Sequence, residues 1–363
     1  MKLSSPWLRK RNIFIAAIAL ASACSGGQTR PMPHAPSLSP PIVIAHRGAS
    51  GLRPEHTLAS YELAIEQGAD FIEPDLVPTK DDVLVARHEN DITDTTDVAD
   101  HPEFAARKTT KTIDGEKHTG WFTEDFTLAE LKTLRAKERL PLLRPDNKAF
   151  DGQFQIPTLA EIIALAKRRS RELGRTIGIY PETKHPTYFA AIGHPTDKLL
   201  VDQLRAAGWD KPDSPVFIQS FEVNNLKAIH KLTGIRLIQL MDAKGGPADG
   251  ATPSYAVMTT PAGLKAVAAY AWGIGPNKDM LLDGTTPTGL VARAHAAGLR
   301  VHPWTFRAEN YFLPWHHQAG LNPRGHGHLD AEIADYLNLG VDGFFTDFPL
   351  IGVEARNHAM RSK

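Results

Sequence analysis

His46 and Arg47 close the apolar run Ile42-Val43-Ile44-Ala45, which stops abruptly at Gly48-Ala49. A β-branched run of this kind reads as a buried strand that delivers a base and a cation to one edge of a sheet. Phe71-Ile72-Glu73-Pro74-Asp75 comes about 25 residues later, and then Val83-Leu84-Val85-Ala86-Arg87-His88. Two histidines, two carboxylates and an arginine therefore stand at the ends of three consecutive strand-like runs. That grouping points to acid–base chemistry on an anion beside a metal ion.

Glu73 and Asp75 are two positions apart, so on a strand both side chains leave the same face. Glu182 and Lys184 repeat the spacing after Ile177-Gly178-Ile179-Tyr180. Carboxylates pointing into a protein interior are costly unless a cation compensates them. All-oxygen ligands from separate strands suit Ca²⁺ or Mg²⁺ and not zinc or copper. The alternative is a buried ionic network of Glu73 and Asp75 with Arg47 and Lys184. Three carboxylates with a dication sum to about −1, and Arg47 with Lys184 brings the site to about +1, a charge suited to a phosphodiester anion. Arg47 can fork two phosphoryl oxygens while Lys184 acts as a point charge. His46 and His88 are placed to take one proton from an attacking oxygen and return another to a leaving alkoxide. His101, His118, His316, His317, His326 and His328 lie in polar segments and are expected to be structural, and Gly325-His326-Gly327-His328 is a weak metal signal.

Alternating strands and helices must position these groups. Helical spacing is expected over 57–67, 158–173, 197–207, 221–232, 289–297 and 331–339, with strand-like runs between them. The repeated unit implies a parallel sheet with helices outside, and at this number of units a (β/α)₈ TIM barrel of the α/β class, somewhat irregular. With Ala271-Trp272-Gly273-Ile274 included, nine strand-like runs compete for eight staves. The link from Asp75 to Val83 is too short for a crossover helix, so the ring lacks a helix there or the two runs form a hairpin. Residues 90–156 are expected as a polar insertion after the third strand, and 243–260 and 307–328 as rim loops.

The chain has 363 residues, 42% hydrophobic and 23% charged, which is ordinary globular material. Lys2, Arg9, Lys10 and Arg11 precede the apolar segment 13–20, which ends in Ala21-Ser22-Ala23-Cys24; this is the pattern of a bacterial export signal over 1–23. Leu20-Ala21-Ser22-Ala23-Cys24 resembles a lipoprotein box, so lipidation of Cys24 is expected, with 24–41 as a flexible tether and 42–355 as the barrel. Removing 1–23 leaves 37 basic against 41 acidic residues, which gives no footing for a nucleic-acid partner. The single cysteine excludes a disulfide within the chain.

Ala45-His46-Arg47-Gly48-Ala49 followed by Pro54-Glu55-His56-Thr57 resembles the opening of the glycerophosphodiester phosphodiesterase family. Glu73-Pro74-Asp75, His88, Glu182-Thr183-Lys184, Gln219-Ser220-Phe221, Trp304-Thr305 and Thr346-Asp347-Phe348-Pro349 are similar to its later signatures, in order, over about 41–350. The length of the insertion is similar to that of the periplasmic, calcium-dependent branch. The resemblance implies a barrel enzyme that hydrolyses glycerophosphodiesters such as glycerophosphocholine or glycerophosphoethanolamine to sn-glycerol 3-phosphate and an alcohol. It implies His46 and His88 as acid and base, and Glu73, Asp75 and Glu182 as ligands of Ca²⁺, with Mg²⁺ as the alternative. Arg47 and Lys184 would touch phosphate. Glu55, Gln219, Phe221 and Trp304 join the candidate substrate-binding set, with Glu55 orienting Arg47 or a histidine; the alternatives are a surface cap before the helix for Glu55, a structural role for Gln219 and a barrel-core role for Phe221 and Trp304. Asp347 is expected to brace the barrel closure. His56 stands where the family has Asn, and Tyr180-Pro181 precedes Glu182.

Two other readings have their own discriminators. A phospholipase D-like enzyme would act on sphingomyelin or lysophospholipids and not on glycerophosphocholine. A surface lipoprotein using the barrel for binding or adhesion would keep its partner after mutation of His88 and Glu73. Under the leading reading the protein is exported to a bacterial envelope, periplasmic or held at the membrane only by its N-terminal lipid.

Overall fold

The computed structural model describes residues 40–252 and 254–361. The export signal, Cys24 and nearly all of the expected tether lie outside the described residues. Fifteen strands are described. Those of the barrel wall are β1 (Ile42–His46), β2 (Phe71–Glu73), β3 (Asp75–Pro78), β7 (Gly178–Ile179), β8 (Glu182–Thr183), β9 (Phe217–Ser220), β10 (Arg236–Met241), β11 (Gly273–Pro276), β14 (Arg300–Val301) and β15 (Gly343–Thr346). β2 and β3 are one stave interrupted at Pro74, and β7 and β8 one stave interrupted at Pro181, which reduces the wall to eight.

The wall pairs in parallel as β15-β1-β2-β7 and β14-β11-β10-β9-β8-β3. Single parallel bridges, Ile179 to Val216 and Phe306 to Thr346, join the two arcs into a ring. The α/β barrel expected from the alternation is therefore present. Its helices start and stop where capping chemistry dictates. Thr57 caps Leu58–Glu66, Thr158 forms a capping box with Glu161 ahead of Leu159–Leu173, and the left-handed Gly174 closes that helix.

The run in excess is the one over 83–88, which is resolved as a hairpin arm. β4 (Leu84–Ala86) pairs antiparallel with β3 and is not a stave. The insertion is more than the polar loop its composition suggested. It begins on this hairpin and holds a hairpin of its own, β5 (Thr109–Ile113) with β6 (Glu116–Gly120). Val98, Phe104, Trp121, Phe126, Leu131 and Leu134 join Val77, Val85 and Phe189 in a hydrophobic core separate from that of the barrel. The apolar positions are scattered among charges without a period, which concealed them. A further small hairpin, β12 (Leu282–Asp283) with β13 (Thr286–Pro287), decorates the β11 end. No helix among the described residues is long and apolar enough to cross a membrane.

Strand alternation divides the barrel into two cores. Val43 and Ala45 pack outward against the helices, while Ile42, Ile44, Phe71, Tyr180, Phe217, Ile238, Trp272 and Phe345 fill the interior. The interior also holds His302, fully buried, whose Nδ1 bonds the Tyr180 hydroxyl at 2.8 Å. Burial lowers its pKa from 6.5 to about 4, so it is neutral in the folded state. Between those values the unfolded chain binds a proton that the folded one does not, so stability falls as pH drops, by about 3 kcal/mol from this group. Denaturant titrations between pH 7 and 4.5 should show a shallower acid loss for His302→Leu than for the parent chain; equal slopes would contradict the assignment.

Candidate active site

On six of the eight staves an inward-facing residue is followed two positions later, on the same face, by a polar or aromatic side chain at the C-terminal rim. Ile44 leads to His46, Phe71 to Glu73, Tyr180 to Glu182, Phe217 to Gln219, His302 to Trp304 and Phe345 to Asp347. Register then sets neighbours: His46 lies opposite Glu73, Asp75 opposite Glu182, and Glu182 opposite Gln219. The rim encloses a cavity of about 320 Å³ lined by His46, Arg47, Glu73, His88, Glu182, Lys184, Gln219, Phe221 and Trp304. Glu55 and Asp75 stand behind that surface.

Glu73, Asp75 and Glu182 each offer an oxygen, and the three oxygens lie within 4.8 Å of one another. All three are buried, and they cannot all be ionised unaided. Asp75 is held well below the usual carboxylate range; its Oδ2 accepts from His56 Nε2 at 2.9 Å and lies 3.4 Å from Arg47 Nε. Burial and the neighbouring carboxylates push Glu73 up, and burial pushes Glu182 up to about 8. Asp75 Oδ1 is buried with no hydrogen-bond partner. An orphaned oxygen in a crowded all-oxygen trio is the environment a hard dication relieves, so the residues fit one. His56 does for Asp75 what a side-chain amide would do, donating from Nε2 while Nδ1 takes the Tyr61 hydroxyl at 2.8 Å.

Arg47 is positioned by a left-handed backbone, φ +59°, which turns its N–H onto Glu73 Oε2 at 2.8 Å. Gly48 follows at φ +87°, where a Cβ would strike Ser60 atoms at 2.4–2.8 Å, so only glycine fits. The guanidinium rests on Glu55 at 3.2 Å, and Glu55 is gripped from the other side by Arg139 at 2.9 Å. Glu55 thus serves Arg47 and does not reach the cavity. Lys184 Nζ lies 3.1 Å from Glu182 and 3.4 Å from His88 Nε2. Gln219 donates to Glu73 Oε1 at 3.1 Å, and Phe221 meets Trp304 edge to face.

The two histidines carry the same device. His46 Nδ1 bonds Asp347 Oδ1 at 2.6 Å, and Asp347 is kept ionised by Arg307 and Arg144. An ionised carboxylate only accepts, so His46 donates from Nδ1 and turns the lone pair of Nε2 away from Asp347. His88 Nδ1 bonds Glu89 Oε1 at 2.8 Å, and Glu89 is likewise held ionised, chiefly by His185 and His88. Burial lowers His46 to about 4 and His88 to about 3. His88 reaches the rim because its strand returns as the hairpin arm, with Arg87 N–H donating to Asp75 O at 3.0 Å.

Asp347 is thus the partner of His46 as well as a residue of the closure. Several groups escaped the sequence reading. Arg307 and Asp242 line the cavity. Glu89 adjoins His88, a His-Glu pair that could have been noticed. Arg144, from the insertion, bonds Asp347 Oδ2 at 2.5 Å and Glu309 at 2.6 Å. The insertion therefore clamps Glu309 and Asp347, the partner of His46.

Residues 46–351 match the Glycerophosphoryl diester phosphodiesterase family. Glycerophosphodiester phosphodiesterase GDPD6 of Arabidopsis thaliana is 41% identical over 328 residues, covering 85% of this chain and 84% of the relative. The glycerophosphodiester phosphodiesterase of Haemophilus influenzae is 30% identical and covers 96% and 98%. Among solved structures, an Oleispira antarctica phosphodiesterase in complex with the product sn-glycerol-3-phosphate superposes with a TM-score of 0.60 at 22% identity, over 87% of this chain and 97% of that one. A glycerophosphodiester phosphodiesterase from Thermotoga maritima gives 0.51 at 19% identity, over 86% and 97%. At those identities the two structures speak for the fold.

Proposed function

This chain belongs to the glycerophosphodiester phosphodiesterase family and is an enzyme of that activity, and from that premise we propose that it hydrolyses glycerophosphodiesters to sn-glycerol 3-phosphate and an alcohol, with His46 and His88 as the proton-transfer pair. What supports this reading is the convergence of two carboxylate-oriented histidines and a buried carboxylate trio on one cavity. Arg47 and Lys184 hold the phosphoryl oxygens, and Arg307 adds a third cation partly offset by Asp347 at 3.0 Å. One histidine, neutral as burial leaves it, takes the proton from the glycerol hydroxyl that attacks phosphorus; the other must first gain a proton on Nε2, which the bound phosphate anion favours, and gives it to the departing alkoxide. A cyclic phosphate and the free alcohol result; water then opens the ring with the two proton transfers reversed. Glu73, Asp75 and Glu182 would hold Ca²⁺, with Mg²⁺ as the alternative. When bound, the ion supplies positive charge against the developing negative charge at phosphorus.

The leaving alcohol is assigned to an adjoining chamber of about 390 Å³, which shares Glu182, Lys184, Phe221 and Asp242 with the first and adds Asp114, His185, Glu222 and Tyr255. Export and lipidation at Cys24 complete the proposal, placing the enzyme at a bacterial envelope; labelled fatty acid should enter the parent protein and not Cys24→Ser.

The test is release of sn-glycerol 3-phosphate from glycerophosphocholine and glycerophosphoethanolamine, read by a coupled dehydrogenase. Turnover is expected to vanish with chelator and return with Ca²⁺. Cleavage of lysophospholipids or sphingomyelin alone, with both diesters untouched, would overturn the reading in favour of a phospholipase D-like enzyme.

A further inference from the structure

We propose that His316, His317 and Asp335 form a second metal site, distinct in chemistry from the catalytic trio, that takes a transition dication such as Zn²⁺. His316 and His317 lie on a single 3₁₀ turn, Trp315–His317, with ring centroids 4.3 Å apart. Asp335 faces them from the helix Leu329–Asn338, and its Oδ2 is 2.9 Å from His317 Nε2. One ligand atom from each of the three lies within 4.8 Å of the others.

A second observation points the same way. Glu332, one turn earlier on that helix, lines the same cavity of about 840 Å³ and is 1% exposed. Its Oε1 is paired with Lys278 Nζ at 2.5 Å, while its Oε2 has no hydrogen-bond partner. A buried carboxylate oxygen without a donor, beside two imidazoles and an aspartate, is unsatisfied as it stands. A cation at the cluster offers it compensation.

The donor set selects the ion. Two imidazoles with a carboxylate suit zinc, nickel or copper, whereas calcium and magnesium prefer oxygen alone. Tetrahedral zinc with bonds of about 2.0–2.1 Å sets its ligand atoms about 3.3 Å apart. His317 and Asp335 already approach more closely than that, and His316 offers a nitrogen within 4.8 Å of both. The open cavity leaves the fourth position to water. Such an ion would tie the 3₁₀ turn to the helix behind it. That turn follows Arg307 and Glu309, which hold Asp347 and Arg144, so the site would brace the loop leaving the catalytic rim.

The test uses the full-length protein saturated with Ca²⁺ and titrated with Zn²⁺, and with Co²⁺ as a spectroscopic probe. A single zinc per chain is expected, raising the melting temperature, with a visible Co²⁺ band of low coordination number and nitrogen ligation. Losing a partner one step removed from a metal already costs about 10- to 100-fold in affinity, so Asp335→Asn and His316→Ala should each weaken zinc by at least that much. Neither replacement empties the hydrophobic core, and both should leave calcium binding unchanged. Glu73→Gln should keep the zinc. Retention of zinc in both Asp335→Asn and His316→Ala, or its loss in Glu73→Gln, would overturn the proposal. So would loss in His326→Ala or His328→Ala with Asp335→Asn unaffected. None of these outcomes depends on turnover, so failure here and failure of the diesterase reading are separable.

Discussion

His46→Ala is expected to lower kcat by about 10²- to 10⁴-fold, the range for removing a positioned acid–base group, with a folded protein and KM changed little. The fold should survive because Asp347 keeps two other partners, Arg144 and Arg307, so the truncation leaves no unpaired buried charge. KM should hold because Arg47, Lys184 and Arg307 carry phosphate binding. Asp347→Asn is the milder companion. It removes the negative charge that favours the Nδ1-protonated His46 and weakens the Arg144 clamp, so kcat should fall less than in His46→Ala. Steady-state kinetics with circular dichroism on both variants checks this; wild-type kcat in folded His46→Ala would refute the assigned role.

The second large effect is on the ion. Without a dication, burial and mutual repulsion keep protons on Glu73 and Glu182, the latter with a pKa near 8. Ligands must be deprotonated to coordinate, so Ca²⁺ binding at pH 7 should release protons. Below about pH 8 the proton on Glu182 competes with the ion, so apparent affinity rises with pH through that range. Calorimetry in buffers of different ionisation enthalpy reads the proton count, and a buffer-independent enthalpy at pH 7 would contradict the assignment. Glu182→Gln keeps the shape of the side chain but removes its charge. It should abolish most turnover at ordinary calcium and lower affinity by more than the roughly 10- to 100-fold that second-layer changes cost.

How much of this was readable from the chain depends on where each pairing lies. Alternation exposed the staves because burial on a strand repeats every two residues, and the same rule carried inward-facing Phe71 on to Glu73 and Tyr180 on to Glu182. The short link after Asp75 forced the hairpin-or-gap choice, and only the antiparallel register of Leu76 with Ala86 decided it. The carboxylate partners of the histidines were harder. Glu89 sits beside His88 yet resembles any surface acid. Arg144 and Asp347 are 203 positions apart, a separation that leaves no local pattern. The insertion misled for a related reason. Phe104, Trp121 and Phe126 form a core only after the segment folds onto Val77 and Val85, so their irregular spacing reads as loop. Glu55, grouped with substrate-binding residues from its motif, lies one layer back because two arginines bracket it.

The most direct test is a crystal structure of the protein soaked with Ca²⁺ and sn-glycerol 3-phosphate. The expected density places the ion on Glu73, Asp75 and Glu182, the phosphate against Arg47 and Lys184, and the Nε2 atoms of His46 and His88 on phosphate or glycerol oxygens. An ion bound elsewhere while the trio holds only water, or a phosphate seated away from both histidines, would contradict the account.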